Sequence, residues 1–388
     1  MTTKSRARWA EILLIGIYIA LLWAPTFDTL LNLDDSRPIG ENRLPAPFPK
    51  FSQFNFSSAQ KFLNGFGDYF NDHFGFRKKL IRWFQNWKIS FFRDRSVYKI
   101  VIGRDGWLFL SESQMIEHYL GLARFSPAQL RDWQTLFERR RDWLAQRGIQ
   151  YLVVIPPNKE MIYPEKLPAW LTNALSVNRQ TKLDQFLDYM KKNSTVRLLD
   201  LRVPLNAAKK IAPTYLQTDT HWNLFGGFIA LQELTKTLSQ QISVPPALDL
   251  KNFIWTNLPA RGGDLAQMLG SETSEKNYFK FTPKNFMPIL NFQTNKDFAT
   301  PWGPRGLVRI ENSAGPKATA IVFRDSFGLA WQPFLGYEFQ RVIFLADNRS
   351  FDAKLISENP PTIVINEILE RYFNTLDPQE MLKTDHLP

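Results

Sequence analysis

From Tyr151 to Leu376 the chain alternates short apolar runs with amphipathic stretches, and this alternation constrains the fold more than any other feature. The apolar runs Tyr151–Ile155, Arg197–Leu201, Thr319–Phe323, Arg341–Leu345 and Thr362–Ile365 have strand length and few charges. Stretches with helical spacing fall near Asn178–Lys192, Asn223–Gln240, Phe351–Ser357 and Glu367–Leu376, and Ser126-Pro127 opens a further helix that runs to about Gln146 before Gly148. Strand and helix in alternation predict an α/β fold with a parallel sheet flanked by helices on both faces. Between about residues 244 and 316 the alternation fails, and the text turns to Asn, Pro, Gly and aromatics. That stretch reads as an insertion of loops and short strands lining the substrate side.

Sheets of this type bind ligands just beyond the carboxyl ends of their strands. The residues that follow each strand are therefore candidates for a site. They are Asn158 and Lys159, then Arg202, then Arg324-Asp325-Ser326, then Asp347 and Asn348, then Asn366, Glu367 and Arg371. Ser326 sits at a strand-to-helix turn, with Gly328 permitting a tight bend, where a hydroxyl and backbone N–H groups can converge on an oxyanion. About a hundred residues earlier, Asp219-Thr220-His221 precedes a helix. A serine nucleophile needs a base, and the base needs a carboxylate to fix its tautomer. Ser326, His221 and Asp219 fill those roles, with Asn158, Lys159, Arg324 and Asn366 as substrate-binding or oxyanion candidates. The alternative is that Ser326, Asp325, Asp219 and Thr220 only cap the helices that follow them. Of the other histidines, His73 lies in an aromatic helical stretch, His118 outside the strand ends and His386 in the tail. No pair of histidines stands at ligand spacing and there is no cysteine, so no metal is expected. Gly226-Gly227 fits no phosphate loop and reads as a point of close helix packing; no cofactor is expected.

The amino-terminal residues bear on location. Lys4, Arg6 and Arg8 precede an uncharged run from Ile12 to Phe27, and Asp28, Asp34 and Asp35 follow it. That order favours a cytoplasmic N-terminus with the remainder exported. An uncleaved anchor over residues 10–31 behind a basic tail, 1–9, is the reading adopted; a cleaved signal peptide is the alternative. A Pro-rich linker, 32–56, leads to aromatic and basic text from Ser57 to about Phe92, read as two helices broken near Gly75. Its aromatic stripe is assigned to a core, with a surface lying on lipid as the alternative. Val97–Leu110 reads as a hairpin around Asp105-Gly106, which closes a membrane-proximal segment, 57–110, before a catalytic domain, 111–388. The formal net charge of +11 points to an acidic partner, either lipid headgroups or an anionic glycan, and no nucleic-acid motif is present.

Five segments carry a resemblance: Phe70–Arg77, Gly103–Phe109, Pro157-Asn158-Lys159, Thr218–Trp222 and Asp325-Ser326-Phe327. Together they resemble the alginate O-acetyltransferase AlgJ/AlgX family of SGNH-hydrolase-like proteins, in particular its anchored, single-domain members. The resemblance implies an SGNH-like fold whose Asp-x-His precedes its Ser. It also implies a Ser326–His221–Asp219 triad that takes an acetyl group and passes it to an exported polysaccharide. The acetyl supplier it implies is a membrane-bound O-acyltransferase at the inner membrane, with the catalytic domain in the periplasm. A deacetylase using the same triad and a non-catalytic glycan-binding scaffold are the rival expectations.

Overall fold

A computed structural model of the protein describes residues 3–31, 33, 46–51, 55–77, 79–80, 83, 96–97, 99–112, 114–240, 242–243, 248–269, 271, 273–285, 287, 289–298, 305–347, 349, 351–385 and 387. The chain forms two compact units, one of Met1–Tyr98 with Asp264–Thr273, the other of Lys99–Gly263 with Ser274–Pro388.

In the first unit, helix α1 covers Thr3–Leu31 and continues through Pro25. It contains the segment Glu11–Thr29, 19 residues of mean hydropathy 1.7 and almost wholly exposed. At ~1.5 Å per residue this is close to the ~30 Å hydrocarbon thickness of a bilayer. Helix α2, Phe56–His73, starts on an Asn55 cap whose side chain accepts from Ser58 N. Residues 46–51 lie along it: Phe48 packs edge-on against Phe62, Phe66 and Tyr69, and Ala46 N donates to Asp72 Oδ2. The aromatic stripe is thus partly a local core. The chain turns at Phe74–Gly75, as the sequence predicts. Most of the linker read over 32–56, and the second aromatic helix over most of its length to Phe92, lie outside the described residues. The short strand β1, Ser96–Val97, closes this part.

The second unit is built on a seven-stranded sheet. Its strands are β4 Gln150–Ile155, β5 Leu198–Asp200, β8 Asn291–Phe298, β9 Arg305–Glu311, β10 Thr319–Phe323, β11 Arg341–Leu345 and β12 Ile363–Glu367, in spatial order β5-β4-β12-β10-β11-β9-β8. The five strands expected from the sequence are mutually parallel. The insertion contributes more than loops: β8 and β9 extend the sheet antiparallel beyond β11. β6 Phe253–Arg261 and β7 Ser274–Pro283 form a separate antiparallel pair.

Side chains alternate between the two faces of the sheet. Leu152, Val154, Val322, Phe344 and Ile365 face a core shared with Phe228, Leu231 and Leu234 of helix α5, Leu224–Leu238. Val153, Ile321, Phe323, Ile343 and Val364 face Trp133 and Phe137 of α3, Pro127–Ala145, and Leu183 and Phe186 of α4, Lys182–Asn193. Both α3 and α4 start in capping boxes, on Ser126/Gln129 and Thr181/Asp184. The hairpin β2 Ile100–Ile102 with β3 Leu108–Leu110 turns through Asp105 and Gly106, both at positive φ. The sequence assigned it to the membrane-proximal segment. Here it belongs with the sheet unit, because Trp107 and Phe109 join the same core as Leu152 and Tyr163. The helix expected over Glu367–Leu376 is instead a 3-10 turn, Glu370–Asn374, followed by a helix, Pro378–Thr384, capped by Asp377.

Arg140 of α3 is fully buried between the last helix and the sheet. Its Nε and Nη2 donate to Asp385 at 2.7 Å, and Nη1 donates to Asn366 Oδ1 at 2.7 Å. Truncating one member of a buried pair strands the other in low dielectric. Arg140→Ala is expected to cost about 3–5 kcal/mol, while replacing Arg140 and Asp385 together by Met and Leu costs much less. Urea unfolding followed by tryptophan fluorescence reads both.

Candidate active site

The Asp219-Thr220-His221 segment lies in a tight loop before α5. Leu216 N donates to His221 O, Tyr215 bridges Trp222, and Asn223 caps α5 by accepting from Gly226 N at 2.9 Å. The cap is therefore Asn223, which leaves Asp219 for His221. Asp219 Oδ1 accepts from His221 N at 2.9 Å and pairs with Nδ1 at 2.7 Å. With the Nδ1 proton directed at a carboxylate, Nε2 presents its lone pair outward. Nε2 lies 2.7 Å from Ser326 Oγ. Gly226 allows the approach of α5: a Cβ there would fall 2.1 Å from Thr214 O.

Irregular backbone must find its hydrogen-bond partners outside itself. Two buried side chains supply them. Lys159 Nζ donates to Leu108 O, Gln217 O and Asp219 O at 2.6, 2.9 and 3.0 Å. Glu275, at the start of β7, accepts from Gln217 N, Thr218 N and Thr218 Oγ1 at 2.8, 2.8 and 2.6 Å. Sequence reasoning misses Glu275. It lies in the insertion, where no periodicity marks it and no motif surrounds it.

Ser326 follows β10 and starts the 3-10 turn Phe327–Trp331 without capping it. The cap is Asp325, whose Oδ1 accepts from Phe327 N at 2.7 Å. Asp325 Oδ2 also takes Leu369 N, and Asp325 N donates to Glu367 Oε2 at 2.7 Å. Burial raises the pKa of both carboxyls, and the Asp325 charge pushes Glu367 well above the carboxylate range. Asp325, with two N–H donors, is the ionised partner and Glu367 the neutral one. Ser326 itself is exposed on this buried base.

The cleft beside the pair is lined by Asn158, Glu160, Thr220, Phe327 and Arg371 among others. Asn158 N donates to Glu370 Oε2 at 2.8 Å, and Glu370 Oε1 pairs with the buried His118 Nε2 at 2.9 Å. Three sequence assignments are corrected. Lys159 is spent on backbone carbonyls and holds the loop from below. Arg324 is buried, returns Nη1 to Asp325 O and packs where a Cβ of Gly328 would lie, so Gly328 provides room rather than a bend. Asn366 points to the opposite face of the sheet, where Arg140 and Tyr151 donate to its Oδ1. Of the rim cations, Arg202 is paired with Asp184 and Asp200. Arg371 lines the cleft with its guanidinium in no ion pair or hydrogen bond among the described residues. Asn348 and His386 lie outside the described residues.

A protein-family model described as "SGNH hydrolase-like domain, acetyltransferase AlgX" matches residues 100–286. The curated protein "Probable alginate O-acetylase AlgJ" of Pseudomonas putida is 32% identical over 146 residues, 37% of this chain and 34% of that protein. Its counterpart in Azotobacter vinelandii is 27% identical over 177 residues, 44% of this chain and 41% of that protein. Over residues 100–286, just under half of its length, the chain resembles the AlgJ/AlgX family. The aligned part spans about a third of the length of the first of these relatives. The AlgX-type match holds Asn158, Lys159, Asp219, His221 and Glu275 and ends before Ser326. The fold extends the likeness: Bacillus cereus PatB1, solved with a sulfonyl adduct, superposes with a TM-score of 0.55 at 19% identity, covering 74% of this chain and 97% of that one. A DHHW family protein of Eubacterium siraeum superposes with a TM-score of 0.51 at 15% identity, over 74% and 99% of the two chains. The serine and the Asp-x-His loop thus come from separate sequence regions joined across one sheet edge.

Glu160 gives the cleft a measurable pH dependence. Burial pushes its carboxyl up to about 7; Glu370 adds to the rise, while His118 and Arg371 oppose it. A carboxyl raised on folding contributes stability fully present below its unfolded pKa and lost as pH rises through its folded one. Glu160→Gln is therefore expected to gain thermal stability relative to wild type as pH rises from ~4.5 through ~7. Parallel melting curves for the two proteins across that range contradict it.

Proposed function

We propose that the protein is an O-acetyltransferase that moves an acetyl group onto a polysaccharide hydroxyl through an acetyl-serine at Ser326. The single observation that carries this is the chain of 2.7 Å contacts from Ser326 Oγ through His221 to Asp219. The likeness to the AlgJ/AlgX family supports transfer to a glycan over simple ester hydrolysis.

In the first half-reaction Ser326 Oγ attacks the acetyl carbonyl and its proton passes to His221 Nε2. Asp219 holds the imidazole in the reactive tautomer and stabilises the imidazolium. The N–H of Ser326 and the side chain of Asn158 receive the oxyanion. His221 then protonates the departing donor group, leaving acetyl-Ser326. In the second half-reaction His221 deprotonates a sugar hydroxyl, which attacks the acyl carbon, and the proton returns to Ser326. Exposure of Ser326 suits an acceptor as bulky as a polymer. The curated relatives named as alginate O-acetylases support an exopolysaccharide or envelope glycan as acceptor. The apolar length of α1 supports a single-pass anchor in the inner membrane, with the sheet unit in the periplasm. Acetyl groups have to reach that side, so a membrane-bound O-acyltransferase is the proposed supplier.

Ser326→Ala, His221→Ala and Asp219→Asn are each expected to lower kcat with a chromogenic acetyl ester by at least ~10³-fold without unfolding the protein, and the losses should not add. Intact-mass spectrometry should detect the acetyl adduct on wild type and not on Ser326→Ala. Adding a glycan acceptor should divert acetyl from water to sugar. Release of free acetate unchanged by any acceptor indicates an esterase instead.

A further inference from the structure

The motif Phe74-Gly75-Phe76-Arg77 takes no part in the site, and it forms a corner between α2 and the end of α1. Phe76 N donates to Asp28 Oδ2 at 2.9 Å and Thr29 Oγ1 donates to His73 O at 3.5 Å. Gly75 is needed there, since a Cβ would fall 2.0 Å from Pro25 O. Asp28 and Thr29 end the apolar segment of α1. The carboxyl end of α2 is thereby fixed at one end of the candidate membrane span.

Helix α2 has two apolar strips. One, with Phe62 and Tyr69, is covered by Phe48 and Phe51. The other carries Phe56, Leu63 and Phe70, which share a face at 3.6 residues per turn and are 86%, 66% and 49% exposed, with Phe66 at the border between the strips, where Phe48 packs against it. Lys61 and Asp68 lie on the opposite side and are exposed. Beyond the corner the chain carries seven Lys or Arg and one acidic residue, Asp94, between 77 and 95. An amphipathic helix with large apolar side chains on one face, followed by positive charge, matches the chemistry of a bilayer interface with anionic headgroups.

We propose that α2 lies in the surface of the bilayer that α1 crosses, with Phe56, Leu63 and Phe70 among the acyl chains. The occupant of this face is lipid rather than protein. Three observations select it: continuity with the apolar span through the Gly75 corner, the aromatic character of the face, and the basic stretch that follows. The inference rests on reading α1 as an anchor. It adds a second membrane contact, which fixes the direction in which the chain leaves the membrane.

The chain has no cysteine, so single-cysteine labels are unambiguous. Full-length protein carrying an environment-sensitive fluorophore at Leu63→Cys, Phe70→Cys, Lys61→Cys, Asp68→Cys or Leu21→Cys is reconstituted in vesicles of phosphatidylethanolamine and phosphatidylglycerol. At positions 63 and 70 the emission is expected to shift to the blue and to be largely lost to quenchers carried on the lipid chains. At positions 61 and 68 aqueous iodide quenches instead. Iodide quenching at 63 and 70 equal to that at 61 and 68 overturns the proposal. Shielding of 63 and 70 from both quenchers also overturns it, since protein then covers the face. The label at position 21 reports the anchor separately. Lipid quenching at 21 without quenching at 63 and 70 sinks this inference alone, whereas absence of lipid quenching at 21 removes the anchor and, with it, the proposal that α2 lies in the bilayer α1 crosses.

Discussion

A buried ammonium group holds the candidate site together. Lys159 leaves the end of β4 and places its Nζ on three backbone carbonyls, one from the β2–β3 hairpin and two from the loop that carries His221. Beneath the rings of Trp107 and Phe109 the charge is shielded from water, so each of those contacts is strong and none is easily exchanged. Glu275 does the complementary work, collecting N–H groups of the same loop. One cation takes the acceptors and one carboxylate takes the donors. A loop with no regular structure thereby becomes stiff enough to fix an imidazole.

The nucleophile side follows the same logic by different means. Ser326 must be exposed to meet a substrate, so rigidity has to come from below. It comes from Asp325, whose carboxylate ties the turn to Leu369, and from Glu367, kept neutral by burial beside a charged neighbour. A second buried arrangement, His118–Glu370, reaches the amide of Asn158. The three parts of the proposed reaction therefore stand on separate polar supports, each shielded from solvent. This preorganisation removes the cost of orienting the groups at the moment of reaction.

In the proposed acetyl transfer to an exported glycan, each unit has its own part. The sheet unit offers chemistry on an open edge. The other unit offers an apolar helix of membrane length and an aromatic helix cornered against its end. An enzyme supplied with acetyl groups across a bilayer gains from being held near that surface, because the supply is local.

Much of this was legible in the sequence. Five parallel strands and the helices that flank them follow from apolar periodicity, and Ser326 is a candidate by the rule that ligands sit at strand ends; its pairing with Asp219-x-His221 came from the chemistry a serine nucleophile needs and from the resemblance. The strands and helices are properties of consecutive residues, and local pattern encodes them. What the tertiary structure decided is the use of each polar group. Lys159, Arg324 and Asn366 stand at strand ends as ligand-binding residues would, yet each is turned into the protein. The partners of Lys159 and Asn366, namely Leu108, Gln217 and Arg140, come from a distant loop or the opposite face, and Arg324 folds back onto the carbonyl of the adjacent Asp325. Glu275 has no local mark at all, since its role exists only once β7 meets the loop at Thr218. The antiparallel extension by β8 and β9 was hidden for a similar reason: the edge strand β8 is mostly exposed and β9 beside it only half-buried, so no apolar rhythm announces them. Sequence fixes which face a residue occupies, while direction and partner are decided by contacts between segments far apart in the chain.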